Sequence, residues 1–213
     1  MTAPGALAVV HDDAACVVVV KPAGLLSVPG RGEHLHDCVA SRVQAMLSDA
    51  LVVHRLDMST SGLMLFGRGA AAQRTLSIAF AAREVHKRYV AVADGLFEQD
   101  SGEIDLPLMA DWPNRPKQKW DREHGKASLT RYRVMARDEA ARTTRLELEP
   151  VTGRAHQLRL HLLSLGHPIL GDALYAPPEV LARADRLLLH ASALRFTHPV
   201  SGAPMAFESA APF

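Results

Sequence analysis

The chain has 213 residues, enough for one domain or one domain of two lobes around a cleft, and 48% of them are hydrophobic, which supports a sizeable core. Its formal net charge is +1, so overall charge gives no sign of a polyanionic partner. No stretch reaches the ~18 consecutive apolar residues of a membrane helix. No basic-then-apolar leader opens the chain, and two cysteines cannot build a disulfide framework, so the expected setting is the cytoplasm.

The first clear element is the β-branched run Cys16 to Val20, which predicts a buried strand ending at the turn Lys21-Pro22. Val39, Val43, Met46 and Leu47 recur at helical spacing, with Asp37 as the expected cap. Cys16 and Cys38 fall within these apolar patterns and read as buried thiols. Leu63 to Phe66 predicts a second buried strand, and Ala72, Leu76, Ala79 and Phe80 a second helix. Tyr89 to Ala93, Thr130 to Val134 and Arg145 to Glu149 have strand character; in the last, Leu146 and Leu148 alternate with charge. Residues 155 to 165 predict a helix with Leu158, Leu162 and Leu165 on one stripe and His156 and Arg159 on a neighbouring face. Helices and strands without a regular βαβ rhythm point to an α+β fold, expected as a single domain over 1–213.

Charge is distributed less evenly than its sum suggests. Residues 111 to 133 hold Arg115, Lys117, Lys119, Arg122, Lys126, Arg131 and Arg133 against Asp111, Asp121 and Glu123. Trp112 and Trp120, the two tryptophans of the chain, fall inside this basic stretch. A charged segment is ordinarily a solvated loop. Cations interleaved with stacking rings also suit single-stranded or looped RNA.

The most distinctive segment is His54-Arg55-Leu56-Asp57-Met58-Ser59-Thr60-Ser61-Gly62-Leu63, an acid between apolar stretches. Asp-x-Ser-Thr-Ser-Gly can close a turn, yet a partly buried carboxylate is costly unless its charge is stabilised or used. As a whole the segment resembles the signature of the RluA family of RNA pseudouridine synthases. Lys21-Pro22-Ala23-Gly24-Leu25-Leu26, Lys87-Arg88-Tyr89-Val90-Ala91, Gly153-Arg154-Ala155-His156-Gln157-Leu158-Arg159-Leu160-His161, His167-Pro168-Ile169-Leu170-Gly171-Asp172 and Leu187-Leu188-Leu189-His190-Ala191 resemble further family motifs, in the family's order. The block Asp111-Trp112-Pro113-Asn114-Arg115-Pro116-Lys117-Gln118 resembles the family branch acting on both 23S ribosomal RNA and transfer RNA. The departures, Met64 and Leu158 where leucine and isoleucine are commoner, conserve apolar volume.

The resemblance implies a pseudouridine synthase fold, a largely antiparallel sheet flanked by helices with a central RNA-binding cleft. About a dozen residues precede Ala14, too few for the S4-type RNA-binding domain that many members carry. By resemblance Asp57 is the catalytic nucleophile or base, Arg159 the cation that pairs with it, and Tyr89 the ring that packs on the target base. Arg55 is the guanidinium that fills the space left by a flipped uridine. Arg115, Lys117, Lys119 and Arg154 are expected to contact RNA, Arg154 alternatively to prop its loop. Leu189 is expected in the base pocket, where plain core packing is the competing explanation. The implied partners are 23S ribosomal RNA and transfer RNA stem-loops, with no protein partner and no membrane.

Converting uridine to pseudouridine breaks the N1–C1′ bond, turns the base and rejoins it through C5. The change is neither redox nor group transfer, so no metal and no cofactor are expected. Other readings fit the residues less well. His156 and His161 are five apart, not the four of paired helix ligands, and no His-Glu-x-x-His occurs. A glycosidase needs two carboxylates across the bond, and one acid lies in a motif. A non-catalytic RNA-binding or ribosome assembly factor needs basic residues, but no acid set beside Tyr89 and Arg159.

Overall fold

A computed structural model describes residues 7–32 and 35–213. The expectation that no leader opens the chain lies partly outside these residues. They divide into two compact units, one of the described residues up to Lys87 with Ala191–Pro212, the other of Arg88–His190 with Phe213.

The first unit contains β1 (Ala8–Asp12), β2 (Cys16–Lys21), α1 (Val39–Met46), β3 (Ala50–Val52), β4 (Ser61–Arg68) and α2 (Gly69–Ala82). The second contains β6 (Ser101–Asp105), β7 (Leu108–Ala110), β8 (Gln118–Trp120), β9 (Leu129–Asp138), β10 (Thr143–Pro150), α3 (Gln157–Ser164) and α4 (Pro178–Leu181). β5 (His86–Asp94) carries the chain from the first unit into the second, and β11 (Leu189–Thr197) carries it back, ahead of β12 (Pro204–Glu208).

In the first unit β2 pairs antiparallel with β4, from Cys16 opposite Gly67 to Lys21 opposite Gly62. β1 joins β2, β3 joins β4 and β12 joins β11, all antiparallel, and β11 neighbours β4. The β2 run does not alternate with polar residues because both sheet faces are covered. Val17, Val19, Met64 and Phe66 pack with Val39, Ala40 and Val43 of α1 on one face. Cys16, Val18, Leu63 and Leu65 pack with Leu76 of α2, Leu194 and Phe196 on the other.

In the second unit β5, β10, β9 and β6 form antiparallel neighbours in that order, and β7 and β8 make a separate hairpin. Leu146 and Leu148 of β10 enter an apolar cluster with Ala91, Ala93, Ile169, Leu189 and, from α3, Leu158 and Leu162. Largely antiparallel sheet with few helices is the α+β class expected.

Some local expectations need correction. The cap of α1 is Cys38, whose Sγ accepts the Ser41 amide at 3.3 Å, while Asp37 instead pairs with Arg42 at 2.7 Å. Met46 faces solvent, because the helix ends before that turn reaches the core. Helix α3 is buried at six consecutive positions, Gln157 to Leu162, so it has no single apolar stripe. Leu165 lies beyond its end and is exposed, and His156 stands at its N-cap in left-handed conformation (φ 55°). A single stripe suits a helix on a surface, whereas this one is packed on all sides.

Candidate active site

Asp57 sits half-buried in the loop between β3 and β4, and both its neighbours are pinned at the main chain. The Ser27 hydroxyl donates to the Leu56 carbonyl at 2.6 Å and accepts the Leu56 amide at 3.0 Å. On the other side, the Met58 carbonyl accepts both the Gly24 amide and Lys21 Nζ, each at 2.8 Å. Lys21 is fully buried at the end of β2, and Nζ also donates to the carbonyls of Pro22 at 2.9 Å and Leu25 at 2.6 Å. A buried ammonium is tolerable when it is hydrogen-bonded in this way. Asp57 closes its own turn, its carbonyl accepting the Thr60 amide at 3.1 Å. Gly62, at the exit, has φ +117°, and a Cβ there would lie 2.3 Å from the Ala191 carbonyl oxygen. The carboxylate therefore stands on a backbone fixed from both sides, while Arg55, two residues earlier, is exposed.

His54 pins the same loop from behind. Its Nε2 accepts the Leu65 amide at 3.0 Å, which leaves the ring proton on Nδ1, and the ring stacks on Phe80 at 4.6 Å. Some ring surface stays accessible, but burial, with nearby Lys87 adding to it, pushes the imidazole down to about 3. It is thus a neutral bracket, not an acid or base. Because its folded pKa lies below the unfolded 6.5, stability is complete above pH 6.5 and is lost as pH falls toward 3. From pH 8 to pH 5 His54 should cost at most about 2 kcal/mol. His54→Gln, which keeps an acceptor without the titration, should flatten the urea-unfolding free energy over that range. Equal slopes in the two proteins would contradict this.

In the second unit, α3 presents Arg159, only 3% exposed. Its guanidinium is held by Asp172, with Nε donating to Oδ2 at 2.7 Å and a terminal nitrogen to Oδ1 at 2.5 Å. Such a two-point fork fixes the plane of the group as well as its position. Asp172 Oδ1 also accepts the amides of Leu174 and Tyr175 at 2.9 and 3.1 Å. The loop ahead of α3 is stapled by buried Gln157. Its Oε1 accepts from the Thr152 hydroxyl and the Arg154 amide, and its Nε2 donates to the Leu129 carbonyl and the Thr130 hydroxyl.

Tyr89 lies on β5 opposite Leu148 and packs against the apolar cluster. Leu189 is a member of that cluster, 3% exposed, and packs as core. Arg154 is exposed and its Nε donates to the Ala127 carbonyl at 3.3 Å. His161 makes contacts through both ring nitrogens, to the Thr130 hydroxyl and the Leu106 carbonyl, and serves the scaffold.

The β7–β8 hairpin forms an arm whose turn is ordered by main-chain bonds from Asp111 to Lys117 and from Asn114 to Asp111. Arg115, Lys117 and Lys119 are exposed on it, and Arg115 lies over the Trp112 ring at 4.0 Å. Trp112 and Trp120 are 65% and 46% exposed, a costly display of indole for a solvated loop. The basic stretch is narrower than its sequence suggests. Arg131 and Arg133 face Glu103 and Glu147 on neighbouring strands, at 2.8 and 3.1 Å.

Among the described residues one group has donors suited to a metal, His11, Asp13 and Cys16, with ligand atoms within 4.8 Å of one another. Hydrogen bonds account for it. His198 Nδ1 accepts the Ser201 amide at 3.0 Å, so its protonated Nε2 donates to Asp13 Oδ2 at 3.1 Å, the same oxygen that meets His11 at 2.7 Å. Burial and the adjacent Asp13 push the Cys16 thiol up to about 12, so it stays protonated.

Sequence reasoning singled out Asp57 and Arg159 but not the groups that hold them. Lys21, Ser27, His54, Asp172 and Tyr175 lie in or beside recognised motifs without having been assigned roles. The available signal was a charge closing an otherwise apolar strand at Lys21, and an acid directly after a glycine at Asp172.

Residues 15–164 match the family model described as RNA pseudouridylate synthase. The chain is 52% identical over 205 residues to the dual-specificity RNA pseudouridine synthase RluA of Yersinia pestis, covering 96% of this chain and 99% of that protein. It is 50% identical over 207 residues to the protein of the same name from Escherichia coli K12, covering 97% and 94%. Among solved structures it resembles human RNA pseudouridylate synthase domain containing 1, with a TM-score of 0.82 and 26% identity over 100% of this chain and 86% of that one.

Proposed function

Because the chain belongs to the RNA pseudouridylate synthase family, we propose that Asp57 carries out its isomerisation of uridine to pseudouridine in structured RNA. The observation that supports this most is the clamp on Leu56 and Met58, which gives one half-buried carboxylate a rigid mount. A carboxylate so placed can attack a sugar or base carbon, or take a proton from C2′. The N1–C1′ bond breaks, the base turns, C5 bonds to C1′, and the C5 proton leaves while N1 gains one. Electrons balance within the nucleoside, so the reaction calls for no metal and no cofactor.

Tyr89 and Arg159 take the base-packing and charge-balancing roles that the resemblance implies. Arg55, exposed beside Asp57, takes the place of the extruded uridine, where its planar guanidinium can stack and hydrogen-bond. Arg115, Lys117 and Lys119 on the arm, with Arg154, contact the RNA. Leu189, packed as core, would at most border the base pocket. The substrates are stem-loops of 23S ribosomal RNA and transfer RNA, in keeping with relatives whose names carry "dual-specificity". No helix among the described residues is long and apolar enough to cross a membrane, and we place the enzyme in the cytoplasm with these RNAs.

The test is release of tritium from stem-loops of both RNA classes labelled at C5 of uridine. Release from both, undiminished by EDTA dialysis, is expected. Binding to RNA without release would favour a non-catalytic factor. In the same assay, Arg115→Ala, Lys117→Ala and Lys119→Ala combined should weaken binding and flatten its salt dependence, by about 0.7 to 0.9 in log–log slope for each phosphate no longer neutralised. The single-turnover rate at saturating RNA should stay near wild type. Unchanged affinity would move the footprint off the arm.

A further inference from the structure

Tyr175 touches three parts of the second unit that the reaction uses separately. Its hydroxyl accepts the amide of Gln118, the first residue of β8 in the basic arm, at 2.8 Å. The same hydroxyl lies 2.6 Å from Nδ1 of His156, the N-cap of the helix that carries Arg159. Its ring lies against the Arg159 guanidinium, 4.9 Å from centroid to Cζ, and its own amide is bonded to Asp172. An oxygen that accepts from Gln118 has its proton to give to His156, so both bonds can be made at once. His156 holds a left-handed backbone conformation that a non-glycine residue keeps only when its surroundings fix it, and the 2.6 Å bond does so.

Resting on the function proposed above, we propose that Tyr175 is a positioning residue, setting the arm of residues 108–120 in fixed register with Arg159 so that RNA gripped by the arm is presented correctly to the reaction. One hydroxyl meets an amide 57 residues away in sequence and a ring 19 residues away. Main-chain contact at Gln118 lets the tether act whichever side chains the arm offers to RNA. Without it, the arm would still bind but would hold the RNA out of register, and displacements of about 1 Å can cost up to about 100-fold in rate.

Tyr175→Phe removes the hydroxyl and keeps the ring over Arg159. The single-turnover rate at saturating stem-loop should fall about tenfold with the melting temperature unchanged, and the Gln118 amide should exchange with deuterium at least about tenfold faster. With Arg115, Lys117 and Lys119 all changed to alanine the arm no longer grips RNA, and adding Tyr175→Phe should then cost less than about twofold. His156→Gly, which breaks the helix side of the bridge while relieving its backbone, should reproduce the rate loss and serves if Tyr175→Phe does not fold. Equal losses with and without arm charges, or no loss, would overturn the inference, as would a rate loss that tracks a lowered melting temperature. Inactive wild-type protein would refute the functional reading instead; Gln118 exchange would still report on the tether, and unchanged exchange would refute it.

Discussion

Asp57→Asn should bring tritium release from a uridine stem-loop below detection while leaving RNA affinity and melting temperature close to wild type. Asparagine keeps the shape of the side chain and removes its charge and nucleophilicity. The loop should not notice, because its fixed points are the main chain of Leu56 and Met58 and the Asp57 carbonyl, none of which the substitution alters. Loss of chemistry with retained binding separates a reacting group from a structural one. Retained release by purified protein would remove Asp57 from the mechanism.

The largest effect on stability should come from Lys21→Met. Methionine fills a similar volume but leaves the carbonyls of Pro22 and Leu25 without their buried donor and that of Met58 with the Gly24 amide alone. Leaving a buried carbonyl without its donor costs about 1 to 3 kcal/mol each, read as a fall in the urea midpoint. Since Met58 follows Asp57 directly, the remaining folded protein should also turn over at least about tenfold more slowly with little change in KM. Lys21→Arg should not rescue either property, because the planar guanidinium cannot direct three donors to the convergent carbonyls an ammonium reaches. A Lys21→Met protein with wild-type stability would show that the buried ammonium does not hold the loop.

Much of this was readable from sequence where local pattern and local chemistry coincide. The β-branched run of β2, the alternation of Leu146 and Leu148, and the Asp57 motif between two strands all met that condition. What stayed hidden was partnership over distance. Lys21 meets a carbonyl 37 residues away, and Arg159 meets an acid 13 residues away. Tyr175 meets an amide 57 residues away, and no periodicity announces such pairs. The local charge excess is partly offset for the same reason, since Glu103 and Glu147 reach Arg131 and Arg133 only once the strands are aligned. At α1 the cap was misplaced by one residue because a thiol, seldom counted among capping groups, accepts the bond expected of Asp37.

The most direct test of Asp57-catalysed uridine isomerisation is transcriptome-wide pseudouridine mapping in cells with the gene, without it, and with only the Asp57→Asn form. The same few sites in ribosomal and transfer RNA should be present in the first and absent in the other two, with the Asp57→Asn protein at normal abundance. Pseudouridine persisting at those sites in the Asp57→Asn cells, yet lost without the gene, would contradict the assignment.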